Sequence, residues 1–283
     1  MIRAILLDID GTLTNSQKVI TPKTAEALKK AQAMGIRLVI ASGRADQGLY
    51  QYANVLDMPS NHGIFVCYNG AKVMDCQTKE ILFHQPMSVE DGKAVLEHMK
   101  KFKVSPIIIK DEYMYTNDVY SGMIHRNIGS DEIFNVIRYE SRGNHYILCE
   151  KRDLASFADY PIEKILTAGE PEYLRDHYEE MGAPFKDRLS CMFTAPFYYE
   201  FTAKNVDKAK AIDTAFTKLG FTPEEMIAFG DAENDISMLE YAGIGVAMGN
   251  ATDAVKAIAD EITLSNDEDG IAESLYRHIE GLH

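Results

Sequence analysis

The chain has 283 residues, of which 46% are hydrophobic and 25% are charged. This composition is typical of a globular protein with one large or two ordinary domains, and it excludes a disordered or collagen-like chain. Lys and Arg total 29 against 43 Asp and Glu, so the formal net charge is -14. A field of that sign repels a nucleic-acid backbone, so we expect no nucleic-acid partner. An anionic ligand would need a local positive site, a cation or both.

The cysteines and the N-terminus indicate the compartment. None of the four cysteines forms a C-x-x-C pair, so neither a zinc site nor a disulfide framework is suggested. The apolar run at the N-terminus meets Asp8 after a few residues, which is too short for a signal peptide. No stretch approaches the ~18 apolar residues of a membrane span. We therefore expect a cytoplasmic protein without a membrane partner.

The first predicted elements form a βαβ unit. Residues 2–7 are an almost continuous apolar run, which predicts a strand buried on both faces. Thr21-Pro22 predicts the start of a helix, and Gly35 predicts its end. A second buried strand over residues 36–41 then runs into a polar loop. Strand, helix and strand in this order indicate the start of a parallel sheet.

The middle of the chain predicts an inserted domain of mixed structure. Two helices are indicated there, over residues 89–102 and 172–181. Strand-like segments cover residues 106–109, 113–116, 146–149 and 164–167. We expect these strands to form an antiparallel sheet with helices on one face, as a cap over the sheet domain.

The last third returns to the alternation of helices and strands. A helix over residues 207–218 precedes a buried strand at 226–229, a helix at 233–241 and a strand at 244–247, with another helix from about residue 251. The predicted fold class is α/β, with a doubly wound parallel, Rossmann-like sheet core and an inserted α+β cap domain. The core comprises residues 1–84 and 190–283, and the cap domain comprises residues 85–189.

Ligands of open α/β sheets bind at the carboxyl ends of the strands. The predicted strands place there Asp8, Asp10, Gly11, Thr12, Ser42, Gly43, Arg44, Gly230, Asp231, Asn234 and Asp235, and Lys208 opens the helix before the late strand. Crowded carboxylates repel each other unless a cation joins them, and hard oxygen ligands beside a phosphate favour Mg2+.

The same set of residues predicts an anion pocket. A lysine, a hydroxyl and backbone amides at a strand-to-helix turn suit a tetrahedral anion, for which phosphate is the natural occupant. An aspartate in this pocket can attack phosphorus to give an aspartyl-phosphate. A second carboxylate two residues later can protonate the leaving oxygen and then activate water.

Four motifs, in order, resemble those of the haloacid dehalogenase-like phosphatases. They are Asp8-Ile9-Asp10-Gly11-Thr12, Ser42, Lys208 and Gly230-Asp231-Ala232-Glu233-Asn234-Asp235. The segments that resemble the Cof-type sugar-phosphatase branch are Ala41-Ser42-Gly43-Arg44, Tyr68-Asn69-Gly70-Ala71 and Gly245-Val246-Ala247-Met248-Gly249-Asn250-Ala251. The 34 positions from Asp8 to Ser42 leave no room for a cap, whereas the 166 positions from Ser42 to Lys208 do, as in the Cof-type arrangement.

The resemblance implies roles for the aspartates. Asp8 is the expected nucleophile and Asp10 the expected general acid and base, a role that favours a raised pKa at Asp10. Mg2+ would be held by the Asp8 carboxylate, the Asp10 backbone carbonyl, Asp231 and waters. Asp235 would support this metal site, although a carboxylate there also suits the start of a helix.

The remaining motif residues are expected to bind phosphate and substrate. By the resemblance, Ser42 and Lys208 take part in catalysis by holding phosphate oxygens, with Asn234 alongside. The rest of the predicted phosphate and substrate site is Gly11, Thr12, Gly43 and Arg44. Ser42 also suits a helix N-cap, which is compatible with phosphate binding. Lys204 is a second, less favoured candidate for the role given to Lys208.

The predicted function is a Mg2+-dependent phosphatase that hydrolyses small phosphomonoesters, such as sugar phosphates or similar metabolites, through an aspartyl-phosphate. Two alternatives stay open. A phosphomutase would return the phosphate to a sugar, and a receiver-like signalling domain would keep a phosphorylated aspartate without turnover. A receiver is about one small domain and would lack the insert. The sequence leaves open the physiological substrate, the cap residues that select it and the oligomeric state.

Overall fold

The structure is a computed structural model that describes residues 1–282. Its strands are β1 (Ala4–Leu7), β2 (Arg37–Ala41), β3 (Ile64–Cys67), β4 (Lys72–Asp75), β5 (Ile81–His84), β6 (Ser105–Lys110), β7 (Tyr113–Thr116), β8 (Met123–His125), β9 (Ile133–Asn135), β10 (Ile147–Glu150), β11 (Lys164–Ala168), β12 (Leu189–Ala195), β13 (Tyr198–Ala203), β14 (Met226–Gly230), β15 (Ile244–Ala247) and β16 (Glu261–Ile262). Its α-helices are α1 (Pro22–Ala33), α2 (Asp46–Val55), α3 (Val89–Met99), α4 (Val136–Gly143), α5 (Leu154–Phe157), α6 (Pro171–Gly182), α7 (Lys208–Lys218), α8 (Ile236–Tyr241), α9 (Asp253–Ile258) and α10 (Gly270–His278).

The chain divides into two compact units. The core unit comprises residues 1–84 and 207–282, and the insert unit comprises residues 85–206. As far as residue 282, neither unit has a helix that is both long enough and apolar enough to cross a membrane.

The core unit is built on an eight-stranded sheet with the order β16-β15-β14-β1-β2-β3-β4-β5. The strands from β16 to β3 are parallel, and β4 and β5 add an antiparallel edge. Ala4 and Leu6 pack in one cluster with residues of α7 such as Phe216. Ile5 and Leu7 point to the opposite face and are also fully buried. Because both faces are covered, the doubly wound parallel core is confirmed.

The insert unit contains a six-stranded sheet with the order β10-β7-β6-β11-β13-β12. Helices α3, α5 and α6 contribute buried residues to its hydrophobic cluster. The expectation of a purely antiparallel sheet is wrong for one pair, because β10 lies parallel to β7. The chain between these two strands contains α4, and a crossover through a helix returns the chain in the same direction. A separate β8–β9 hairpin was not predicted from the sequence.

The second boundary of the insert differs from the predicted one at residue 189. β12 and β13 belong to the insert sheet, and β13 pairs with β11 from Lys164↔Thr202 to Ala168↔Tyr198. The insert therefore ends between Val206 and Asp207. A pattern of apolar residues predicts that a segment is a strand, but it does not indicate which of the two sheets the strand joins.

Candidate functional site

Adjacent parallel strands bring distant segments to one edge of the core sheet. β1 lies between β14 and β2, and Leu7 is in register with Phe229 on one side and Ile40 on the other. The chain therefore leaves these three strands side by side, towards the loops that carry the predicted site residues. This arrangement explains how residues more than 200 positions apart form one cluster.

Lys208 lies at the centre of this cluster. Its side chain is 0% exposed, and its Nζ donates to Asp8 Oδ1 at 2.8 Å, Asp235 Oδ1 at 2.6 Å and the carbonyl of Ala41 at 2.9 Å. An ammonium has three protons, so these contacts satisfy it completely. Asp207 caps the N-terminus of α7 by accepting from the backbone N–H of Lys210 at 2.9 Å. The start of α7 thus places Lys208 beside both carboxylates.

The cluster holds more negative than positive charge. Burial raises the pKa of Asp8 to about 7, although Lys208 acts in the opposite direction. Burial likewise raises the pKa of Asp231 to about 6, against the hydrogen bond from Thr12. Burial alone would lower the pKa of Lys208, but Asp8 and Asp235 raise it above its ordinary value. One ammonium therefore does not balance the buried carboxylates, and a further cation would favour their ionised forms.

Three carboxylates are placed to receive such a cation. Oxygens of Asp8, Asp231 and Asp235 all lie within 4.8 Å of one another. Asp235 Oδ2 accepts from the backbone N–H groups of Asp231 and Ala232, each at 3.1 Å, and Thr12 Oγ1 donates to Asp231 Oδ1 at 2.9 Å. These hydrogen bonds orient hard oxygen donors around one point. The donor set fits Mg2+, which prefers oxygen ligands and is bound through few carboxylates.

Asp10 lies outside this group of three carboxylates. Its Oδ1 accepts from Lys18 Nζ at 2.8 Å, and its Oδ2 accepts from Arg44 Nη2 at 2.8 Å and Nε at 3.2 Å. Burial acts to raise the pKa of Asp10, but Arg44 and Lys18 together hold it below its ordinary value. The expectation of a raised pKa at Asp10 is therefore wrong for this state of the protein.

Ser42 and Asn234 lie near each other through Asn69, which was not assigned a role from the sequence. Ser42 is buried, and its Oγ accepts from the backbone N–H of Arg44 at 3.3 Å. The expectation of an N-cap at Ser42 is wrong, because α2 begins at Asp46 and its N-cap is Ala45. Its carbonyl accepts from the backbone N–H of Asn69 at 2.9 Å. Asn234 Nδ2 donates to Asn69 Oδ1 at 3.3 Å. A Cβ on Gly43 would lie 3.2 Å from the Asn69 amide, so the small residue at 43 permits this close packing.

A sequence signal for Asn69 does exist. Asn69 has a left-handed backbone, with φ of 56°, and an Asn-Gly pair after a buried strand is a recognised turn pattern. Asn69 therefore belongs to the loops at this edge of the sheet.

Gly11 makes room for the Asp231 carboxylate. Its φ is +85°, and a Cβ at this position would lie 2.2 Å from Asp231 Oδ2. Its carbonyl accepts from Asn250 Nδ2 at 2.8 Å. The contacts of Asn250 with Gly11 and of Lys18 with Asp10 were not predicted from the sequence, since each residue lies in a loop whose position is decided by the fold.

The two lysines that compete for one role make different contacts. Lys204 Nζ donates to the carbonyls of Lys186 at 3.2 Å and Asp187 at 2.8 Å, within the insert unit. Lys208, in contrast, contacts Asp8 directly. The geometry therefore supports Lys208 for the predicted role.

Comparison with known proteins identifies the family of this chain. Residues 5–275 match the haloacid dehalogenase-like hydrolase family. Pyridoxal phosphate phosphatase of Escherichia coli is 30% identical over 283 residues, with 98% of each chain covered. The 5-amino-6-(5-phospho-D-ribitylamino)uracil phosphatase of Bacillus subtilis is 30% identical over 280 residues, with 98% of this chain and 95% of that chain covered.

A solved structure shares the whole fold. The crystal structure of a haloacid dehalogenase-like hydrolase from Bacteroides thetaiotaomicron superposes with a TM-score of 0.90 at 32% identity, and the match covers 99% of this chain and 100% of that one. Family match, relatives and fold all lead to the same assignment. The chain therefore belongs to the haloacid dehalogenase-like hydrolases, in their Cof-type branch.

Proposed function

We propose that this protein is a Mg2+-dependent phosphatase that hydrolyses small phosphomonoesters, such as sugar phosphates or similar metabolites, through an aspartyl-phosphate on Asp8. The main support is the buried cluster in which Lys208 joins Asp8 and Asp235, with Asp231 within 4.8 Å. The names of two relatives identify phosphatases of phosphorylated metabolites, which supports this substrate class.

In the first half-reaction, an oxygen of Asp8 attacks phosphorus. Lys208 holds Asp8 Oδ1, which leaves Oδ2 for the attack. The new Oδ–P bond forms as the bond from phosphorus to the leaving oxygen breaks, and Asp10 donates its proton to that oxygen to release the alcohol. Arg44 and Lys18 lower the pKa of Asp10, and the negative charge of the incoming phosphate acts in the opposite direction. It raises the pKa of Asp10 so that the proton is available.

In the second half-reaction, water attacks the phosphorus of the aspartyl-phosphate. Asp10, now ionised, takes a proton from the water as the new O–P bond forms. The Oδ–P bond breaks, inorganic phosphate leaves and Asp8 returns as a carboxylate. Asp10 thus serves as acid in one step and as base in the next.

The carboxylates of Asp8 and Asp231, the backbone carbonyl of Asp10 and the supporting Asp235 would hold the cation. When bound, Mg2+ supplies positive charge against the charge that develops on the transferred phosphoryl group. Ser42, Lys208 and Asn234 would bind the phosphate oxygens and orient them for attack by Asp8, with Gly11, Thr12, Gly43 and Arg44 around them.

The test is release of inorganic phosphate from a panel of sugar, nucleoside and vitamin phosphates, measured with and without Mg2+. We expect Asp8→Asn to abolish the release of phosphate. We expect Asp10→Asn to slow the hydrolysis of an alkyl phosphate by about 10²- to 10⁴-fold. Normal activity of Asp8→Ala would refute the covalent mechanism. Appearance of the phosphate on another sugar hydroxyl, instead of free in solution, would identify a phosphomutase.

A further inference from the structure

Both oxygens of the Asp10 carboxylate are held by cations from different loops. Lys18 Nζ lies 2.8 Å from Oδ1, and the Arg44 guanidinium contacts Oδ2 at 2.8 Å through Nη2 and 3.2 Å through Nε. The Asp10 side chain is nevertheless 43% exposed. Packing alone does not restrict an exposed aspartate, so these two ion pairs define its orientation.

The loop that carries Lys18 is itself held in place. Asn15 closes it with its side chain, which accepts from the backbone N–H groups of Gln17 at 3.0 Å and Val19 at 3.1 Å. Ser16 donates to Asp267 from its backbone N–H at 2.8 Å and from its hydroxyl at 2.6 Å. Lys18 thus extends from a fixed backbone, with φ of 60°.

We propose that Lys18 is a positioning residue for the acid–base step: with Arg44 it fixes the Asp10 carboxylate in the orientation that protonates the leaving oxygen. The proposal rests on the proposed function, because it assigns Lys18 to the carboxylate that acts as acid and base there. Arg44 restrains one oxygen of that carboxylate, and Lys18 restrains the other. Loss of Lys18 leaves the carboxylate held through Oδ2 alone, by Arg44, so its Oδ1 is no longer fixed and the carboxylate can rotate.

An ion pair this exposed contributes little to folding stability. The side chain of Lys18 is 62% exposed, and pairs of this kind have a small net effect on stability. The expected consequence of its loss is therefore on catalysis, without a change in Tm. Positioning matters here because small misplacements of a catalytic group slow the reaction strongly.

The experiment compares two substrates that differ in the need for an acid. An alkyl phosphate needs its leaving oxygen protonated, whereas p-nitrophenyl phosphate has a good leaving group. For Lys18→Met we expect kcat/KM to fall about tenfold on the alkyl phosphate and less than about twofold on p-nitrophenyl phosphate. The tenfold loss is smaller than the loss expected when the acid itself is removed. Lys18→Arg should restore most of the loss. Lys23→Met is the matched control, because that exposed lysine pairs with Glu273. This substitution should leave kcat/KM on both substrates unchanged.

A double variant separates positioning from direct binding of substrate. In an Asp10→Asn background, Lys18→Met should cause no further loss, because the group that it positions is already disabled. Equal losses of kcat/KM on both substrates, caused by a higher KM and additive with the effect of Asp10→Asn, would show that Lys18 binds the phosphate itself. That result would overturn the proposal. Unchanged kinetics would overturn it as well. If Asp10→Asn alone left the alkyl phosphate unaffected, the acid role in the proposed function would fail instead.

Discussion

At the scale of single residues, the cluster depends on one buried ammonium. Lys208 is fully buried between Asp8 and Asp235, where the desolvation of three charged groups is offset by the attraction of the ammonium for both carboxylates. Such an arrangement contributes little net stability while it is complete. Removal of one partner is costly, because an uncompensated charge then stays buried.

We expect Lys208→Met to lower the free energy of unfolding by about 3–5 kcal/mol and to abolish phosphatase activity. Urea denaturation in the presence of EDTA measures the stability, so that no added cation replaces the lost charge. The control is Lys204→Met, in which an exposed lysine is lost and the cost should stay below about 1 kcal/mol. Similar losses in the two variants would contradict the central position of Lys208.

At the scale of elements, a tight turn sets the start of α7. The short 3-10 segment Tyr68–Gly70 follows β3 and contacts α7. Gly70 has a φ of +106°, and a Cβ on it would lie 2.3 Å from the backbone carbonyl oxygen of Asp207. Because backbone cannot move aside as a flexible side chain does, the turn determines where α7 begins. It thereby determines where Lys208 points.

For Gly70→Ala we expect a loss of stability of about 2–5 kcal/mol, which combines left-handed strain with overpacking. We also expect a fall in kcat of about tenfold or more, since a small displacement of Lys208 disturbs the alignment of Asp8. Gly35→Ala is the matched control. Gly35 has a φ of +87° with nothing within 4 Å of its Cβ position, so it shows the strain alone, about 1–2 kcal/mol. Equal losses from both substitutions, with normal kcat, would rule out the clash at Gly70.

At the scale of the whole molecule, the net charge of -14 agrees in sign with the excess of carboxylates in the cluster around Lys208. Asp8 and Asp231 both have a raised pKa, to about 7 and about 6, because they are buried among other acids. A cation that binds the folded protein and not the unfolded chain therefore stabilises the fold by linkage.

We expect MgCl2 to raise the Tm of the EDTA-treated protein, with a stabilisation of about 2.7 kcal/mol once the free ion reaches 100 times its Kd. Asp231→Asn should remove most of this increase, because it removes a charged ligand from the cluster. Asp176→Asn, at an exposed carboxylate on α6, should keep the increase, and NaCl of the same ionic strength should not reproduce it. An equal increase in both variants would indicate general screening in place of a site.

Much of the core and of the candidate site follows from local pattern. β1 and β14 are apolar runs that end in Asp8 and in Gly230-Asp231, and this pattern is typical of parallel strands that are buried on both faces. Since parallel strands share their carboxyl edge, the positions of the acidic motifs also predicted that the cluster forms.

Only the tertiary structure decided the features that depend on a partner. A strand pattern indicates burial but not the neighbouring strand, so the assignment of β12 and β13 to the insert and the parallel β7–β10 pair could not be predicted. The lowered pKa of Asp10 arises from Arg44 and Lys18 on separate loops, and the contact of Lys208 Nζ with Asp8 Oδ1 at 2.8 Å joins residues 200 positions apart. Hydrophobic periodicity is a local property of the chain, whereas pairing and electrostatics depend on distances that exist only in the folded molecule.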